Sequence, residues 1–191
     1  MNYDPNLADR LSTYATQAFK GEVFRATRAN ADPVAPSLYG GRWTRPQNTD
    51  PGTNVLYTSM ERNGALAEMA SFLADLTPIP GPRKIKVTRL AVTTSNTLRF
   101  VRATLSDLGV DLDRYGERDY ARTQEIGSTL AWLGLDGLIA PSARWACENL
   151  MIFTDNHTLG EKLEPLDEEL TEWRQWAQQH SIIETPKGSE H

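Results

Sequence analysis

The sequence predicts an α+β domain. Within 191 residues, four segments carry apolar residues at helical spacing, six short runs read as strands, and clusters of proline and glycine separate them. A chain of this length buries one substantial core, so a single domain over residues 1–191 is expected.

Residues 5–19 place Leu7, Leu11, Tyr14, Ala15 and Ala18 on one helical face, and Gly21 stops the helix before a first strand over 22–27. The stretch from Asn30 to Pro51 holds Pro33, Pro36, Gly40, Gly41, Pro46 and Pro51, so it reads as loop with a short extended piece at Arg42 and Trp43. Asn54 to Thr58 is an apolar strand. Thr58 with Glu61 forms a capping-box pattern that opens a helix to about Asp75. On that helix Ala65, Leu66, Met69, Phe72, Leu73 and Leu76 make the apolar face, and Glu68 falls at its edge.

After the break at Pro78, Pro80, Gly81 and Pro82, a strand runs over 84–93. Ile85 and Val87 alternate, and Leu90 and Val92 resume in the opposite phase, which predicts a bulge. A further strand over 97–101 and a helix over 118–133, ended by Gly134, come next. Apolar runs at 137–140 and 149–154 bracket the turn-like Pro141-Ser142-Ala143-Arg144 and read as a hairpin. A final helix is expected over 165–180. Pro165 opens it, Asp167, Glu168 and Glu169 fill its first turn, and Leu166, Leu170, Trp173 and Ala177 take core spacing. Trp176 lies beside that stripe as the candidate exposed contact, and the tail beyond His180 is expected to fray.

A net charge of −5 excludes a broad basic surface for nucleic acid, but leaves a pocket for a small anion open. No apolar run approaches the ~18 residues of a membrane span, and the N-terminus lacks a signal-peptide pattern, so a cytoplasmic protein without direct membrane contact is expected. The single cysteine, Cys147, rules out an internal disulfide. His157, His180 and His191 show no metal-ligand spacing, so no metal is expected.

Four polar side chains stand at the edges of structured segments: Arg25, Arg42, Tyr57 and Glu68. Each has a structural alternative. Arg25 suits either a strand surface with its stem packed or an anion pocket. Arg42, after Gly40-Gly41, either presents its planar fork to phosphate oxygens or stacks on Trp43. Tyr57 suits a strand end with its hydroxyl at the rim. Glu68 serves either an ion pair or the stabilisation of positive charge developing on a substrate.

Phe24-Arg25, the Gly40-Gly41-Arg42-Trp43 box, Leu56-Tyr57-Thr58, Ala65-Leu66-Ala67-Glu68 and Asp136 through Ser142 together resemble the RES domain family, over roughly residues 22–155. Members of that family are the toxin partners of Xre-type antitoxins in bacterial toxin–antitoxin pairs. The resemblance implies a split, mainly antiparallel sheet with flanking helices, similar to ADP-ribosyltransferases of the diphtheria-toxin type. It also implies NAD as substrate, no cofactor, and an antitoxin partner.

On that resemblance the catalytic residues are Arg25, Glu68 and Tyr57. Glu68 would bind the ribose hydroxyls, Tyr57 would pack on the nicotinamide, and Arg25 and Arg42 would hold phosphate or ribose groups. Ser142 would hydrogen-bond the substrate, with Ser128 on the 118–133 helix as the other serine neighbourhood. Three readings follow: an NAD-degrading toxin using water or phosphate as acceptor, an ADP-ribosyltransferase acting on a protein, and a non-catalytic nucleotide-binding or interaction protein.

Overall fold

The computed structural model describes residues 5–37, 39–46 and 53–184. Part of the Asn30–Pro51 loop and the tail with His191 lie outside them. The elements in chain order are α1 (Pro5–Ser12), β1 (Gln17–Arg28), β2 (Val55–Ser59), α2 (Arg62–Ala74), β3 (Lys84–Arg99), α3 (Arg102–Asp107), α4 (Ala121–Trp132), β4 (Gly137–Pro141), β5 (Glu148–Phe153), β6 (Leu163–Glu172) and α5 (Trp173–Gln179).

The strands pair around a circuit. β1 meets β2 at Phe24 and Ser59, β2 runs antiparallel to β5, β5 to β4, β4 lies parallel to the end of β3, and β3 returns antiparallel along β1. β6 adds to the edge of β3 over Lys84–Val92, where β4 has not yet reached. Every strand of the circuit sends apolar side chains inward: Val23, Leu56, Leu90 and Val92, Ile139, and Leu150 with Ile152 form one buried cluster. α1, α3 and α4 close a second cluster around Phe100 and Phe153, and α2 and α5 a third around Trp173. This is the α+β architecture with a split, mainly antiparallel sheet that the resemblance implies.

Several elements differ from the sequence reading. The first helix ends at Ser12, and β1 begins at Gln17 because its N-terminal half pairs with β3 out to Thr97. The two expected strands over 84–93 and 97–101 are one continuous strand, since β1 supplies a partner along nearly all of it. The expected capping box is not formed. Thr58 Oγ1 donates to Leu150 O at 2.8 Å, and α2 starts after Glu61 without a side-chain cap.

The largest difference is at 163–172, expected as helix and found as strand. The open edge of β3 offers unpaired backbone groups that β6 satisfies. Its acidic side chains meet cations from the neighbouring elements: Glu168 with Lys86 at 3.1 Å, Glu169 with Arg62, and Asp167 with Arg89, which also binds Glu22. Leu166 and Leu170, placed in the core by helical spacing, are 45% and 56% exposed. The register irregularity does fall between Arg89 and Leu90, but the extra residue is Leu166 on β6. Only Trp173–Gln179 is helical, capped by Glu172, whose carboxylate accepts from Arg174 N and Gln175 N. Trp176 is buried beside Trp173, stacked on His180 at 4.1 Å, and is not an exposed contact.

Candidate active site

A cavity of about 430 Å³ opens between β1, the Gly40–Pro46 segment, β2, α2 and the start of β5. α2 forms its floor with a face the sequence reading assigned to the core. Leu66, Ala70 and Leu73 turn inward to bury, whereas Ala65, Glu68, Met69 and Phe72 line the cavity. Phe72 is accordingly 47% exposed.

Glu68 is held from one side only. Ser142 Oγ donates to its Oε1 at 2.8 Å, and Asn149 Nδ2 donates to the same oxygen at 2.9 Å. Among the described residues Oε2 has no hydrogen-bond partner. Ser142 Oγ also accepts from Arg144 N and Trp145 N, so its one donor and two acceptor positions are filled. Ser142 therefore lies one step behind the cavity wall, holding Glu68. Among the described residues no hydrogen bond joins Ser128 to Glu68, so Ser142 is the serine that meets the carboxylate.

Two guanidiniums face this carboxylate across the cavity, and neither has a carboxylate within salt-bridge distance among the described residues. Arg25 projects from the middle of β1. Its Nη1 donates to Pro33 O at 3.0 Å and Ala35 O at 2.6 Å, which folds the following loop over the strand. Burial lowers its pKa to about 10, with Asp32 opposing, so it stays charged at neutral pH.

Arg42 sits in a four-residue turn closed by Gly41 N donating to Thr44 O at 2.9 Å. It does not stack on Trp43. Its guanidinium lies between the rings of Tyr115, 4.4 Å away, and Tyr120, 4.8 Å away, an arrangement that fixes a planar cation. Gln124 of α4 anchors the turn by donating to Gly41 O and Thr44 O.

Tyr57 packs under the same turn. Its hydroxyl accepts from Trp43 N at 3.0 Å, and a side chain at position 41 would meet its ring at 2.8 Å, which explains the glycine there. Burial pushes the Tyr57 phenol up, the Trp43 and Thr44 N–H groups opposing, so it stays neutral. Tyr115 is likewise pushed up by burial, to about 12, with Arg42 opposing, and its hydroxyl donates to Pro141 O.

The structure thus brings Arg25, Arg42, Tyr57 and Glu68 to one cavity and sets Ser142 behind Glu68. Sequence reasoning missed Asn149, Tyr115, Tyr120 and Gln124. Asn149 had a signal, a polar residue opening an otherwise apolar run. Tyr115 lies in a stretch without periodicity and Tyr120 near the start of the expected helix, where no local pattern marks Arg42 as a partner far back in the chain. Among the described residues no cluster of His, Cys, Asp or Glu suits a metal ion, and no helix is long and apolar enough to cross a membrane.

The arrangement offers a fixed carboxylate oxygen, two cations and an apolar wall of Phe24, Met69 and Phe72 within one cleft. That suits an anionic ligand carrying a sugar and an aromatic ring. No curated protein matches the sequence. Among solved structures, a chain of the M. tuberculosis MbcT-MbcA toxin-antitoxin complex superposes with a TM-score of 0.73 at 14% identity, covering 93% of this chain and 98% of its own. The RES domain family matches residues 14–175, beyond both ends of the region that carried the resemblance, and the chain belongs to that family.

Proposed function

We propose that this protein is the toxin of a bacterial toxin–antitoxin pair and that it breaks the nicotinamide–ribose bond of NAD. Family membership and the likeness to a chain of a toxin–antitoxin complex support the first part. The observation that carries the second is the one-sided grip on Glu68, which leaves Oε2 unpartnered in a cavity with two carboxylate-free guanidiniums.

The chemistry follows from charge. As the C–N bond breaks, both electrons leave with the nicotinamide nitrogen, cancelling its positive charge, and the ribose becomes oxocarbenium-like. Glu68 Oε2 stabilises that cation and accepts from ribose hydroxyls. Arg42, held between two rings, and the Nε and Nη2 of Arg25, which bind no described residue, take the pyrophosphate. Tyr57 and the apolar wall receive the nicotinamide. Water or inorganic phosphate then adds to the sugar carbon, giving ADP-ribose with release of a proton, or its phosphate ester. An Xre-type antitoxin is the expected partner that restrains the activity.

Purified protein incubated with NAD should release nicotinamide. Adding phosphate distinguishes the acceptors by the product formed. Labelling of a protein instead of free product would favour the ADP-ribosyltransferase alternative, and absence of nicotinamide under every condition would leave the non-catalytic reading.

A further inference from the structure

Asn149 stands in the second residue of β5, opposite Ser59 of β2 on one side and Ala140 of β4 on the other. It reaches α2 from the head of a buried run, Leu150, Met151 and Ile152. Its Nδ2 reaches Glu68 Oε1 at 2.9 Å, while its own Oδ1 is buried with no partner. Turning the amide over would set Oδ1 against the carboxylate, acceptor to acceptor, so Glu68 dictates the orientation and the orphaned oxygen is its cost. A site selected for stability alone would hold a small apolar or fully paired side chain here. Ser142 reaches the same Oε1 from the other wall, and the two donors leave Oε2 as the oxygen turned to the cavity.

We propose that Asn149 is a positioning residue for the reaction, one that fixes the rotamer of Glu68 so that only Oε2 meets the sugar. The inference rests on the NAD-cleaving reading above. It makes the catalytic carboxylate a three-residue unit: Glu68 from α2, Ser142 from the turn after β4, and Asn149 from β5.

The test uses N149D and N149A in the full chain, with nicotinamide release measured from pH 5 to 9. N149D places a second carboxyl group beside Glu68. Two carboxylates at that distance share a proton, and only the protonated form can donate to Oε1. Its kcat should fall about tenfold or more at pH 8, with KM for NAD changed by less than about threefold, and recover as the pH drops. N149A should lose kcat at every pH. Both should keep the wild-type circular dichroism spectrum.

Wild-type kcat in N149A, or a wild-type pH profile in N149D, would overturn the inference. If the wild-type protein releases no nicotinamide, the functional reading fails by itself. The positioning is then judged by the ¹³C carboxyl signal of Glu68 at neutral pH, assigned through its loss in E68Q: N149A, which removes a donor to Oε1, should shift it, and an unmoved signal rejects the contact.

Discussion

On the proposed reading, the chemistry turns on Glu68. Glu68→Gln keeps the shape and the two donors' target but removes the charge, so kcat should fall by about 10² to 10³ with KM for NAD little changed, as steady-state nicotinamide release would show. Arg42→Lys keeps the charge and loses the planar cation between Tyr115 and Tyr120. KM should rise in that variant by more than kcat falls. Tyr57→Phe keeps the ring, yet leaves the Trp43 N–H without its acceptor. A lower melting temperature, equivalent to about 1–3 kcal/mol, is expected, with less loss of activity than in Glu68→Gln.

At this scale much of the site was legible, because Arg25, Arg42, Tyr57 and Glu68 are polar residues set in or beside apolar segments, and all four line the cavity. Ser142 was legible as a member of the site but not as a hydroxyl already filled by Glu68 and two backbone N–H groups. Asn149 and the two tyrosines act through contacts that link distant parts of the chain, and single-sequence patterns carry no information on such pairs.

Among the elements, helical spacing misled twice, for opposite reasons. On α2, Met69 and Phe72 have the spacing of core residues and line a cavity, since an apolar ligand wall and a core face make the same pattern. On β6, Leu166 and Leu170 match a helix, while the backbone answers to the open edge of β3. Local propensity yields there to a tertiary hydrogen-bond ladder. The hairpin of β4 and β5, the Gly134 stop and the strand holding Tyr57 were all readable, as each depends on near neighbours.

α5 reaches the site through aromatic contact. Trp176 stacks on His180 and tilts against Trp145, whose backbone N–H donates to Ser142 Oγ. Trp176→Ala should cost about 3–5 kcal/mol in chemical denaturation. At temperatures where the variant stays folded, activity should also fall, because the turn that holds Ser142 loses its backing.

For the whole molecule, stability should respond to a buried acidic group far from the cavity. Asp136, at the entry to β4, accepts from Ser95 N and Asn96 N and feels the carboxyl of Glu161, which lies 3.8 Å from His157 Nε2. Burial raises the Asp136 pKa despite the opposing backbone donors, with Glu161 adding to the rise. A carboxyl raised in the folded state favours folding below its unfolded pKa, and that contribution is lost as the pH climbs through its folded value. Glu161 behaves oppositely: its pKa is lowered on balance by Ser95, Thr158, Asp136 and His157 against desolvation, so its share is lost on acidification. Asp136→Asn should therefore raise the melting temperature at pH 8 and change it little at pH 4. A variant less stable than wild type at pH 8 would contradict this sign.

The grip on Glu68 spans 74 residues to Ser142 and 81 to Asn149. A nascent chain that ends before β4 therefore carries Arg25, Arg42 and Glu68 with neither donor yet made, and one that ends before β5 has Ser142 alone. On the proposed reading, fragments released before Glu148 lack the Asn149 donor, so an interrupted round of translation yields products without the complete grip on the acid.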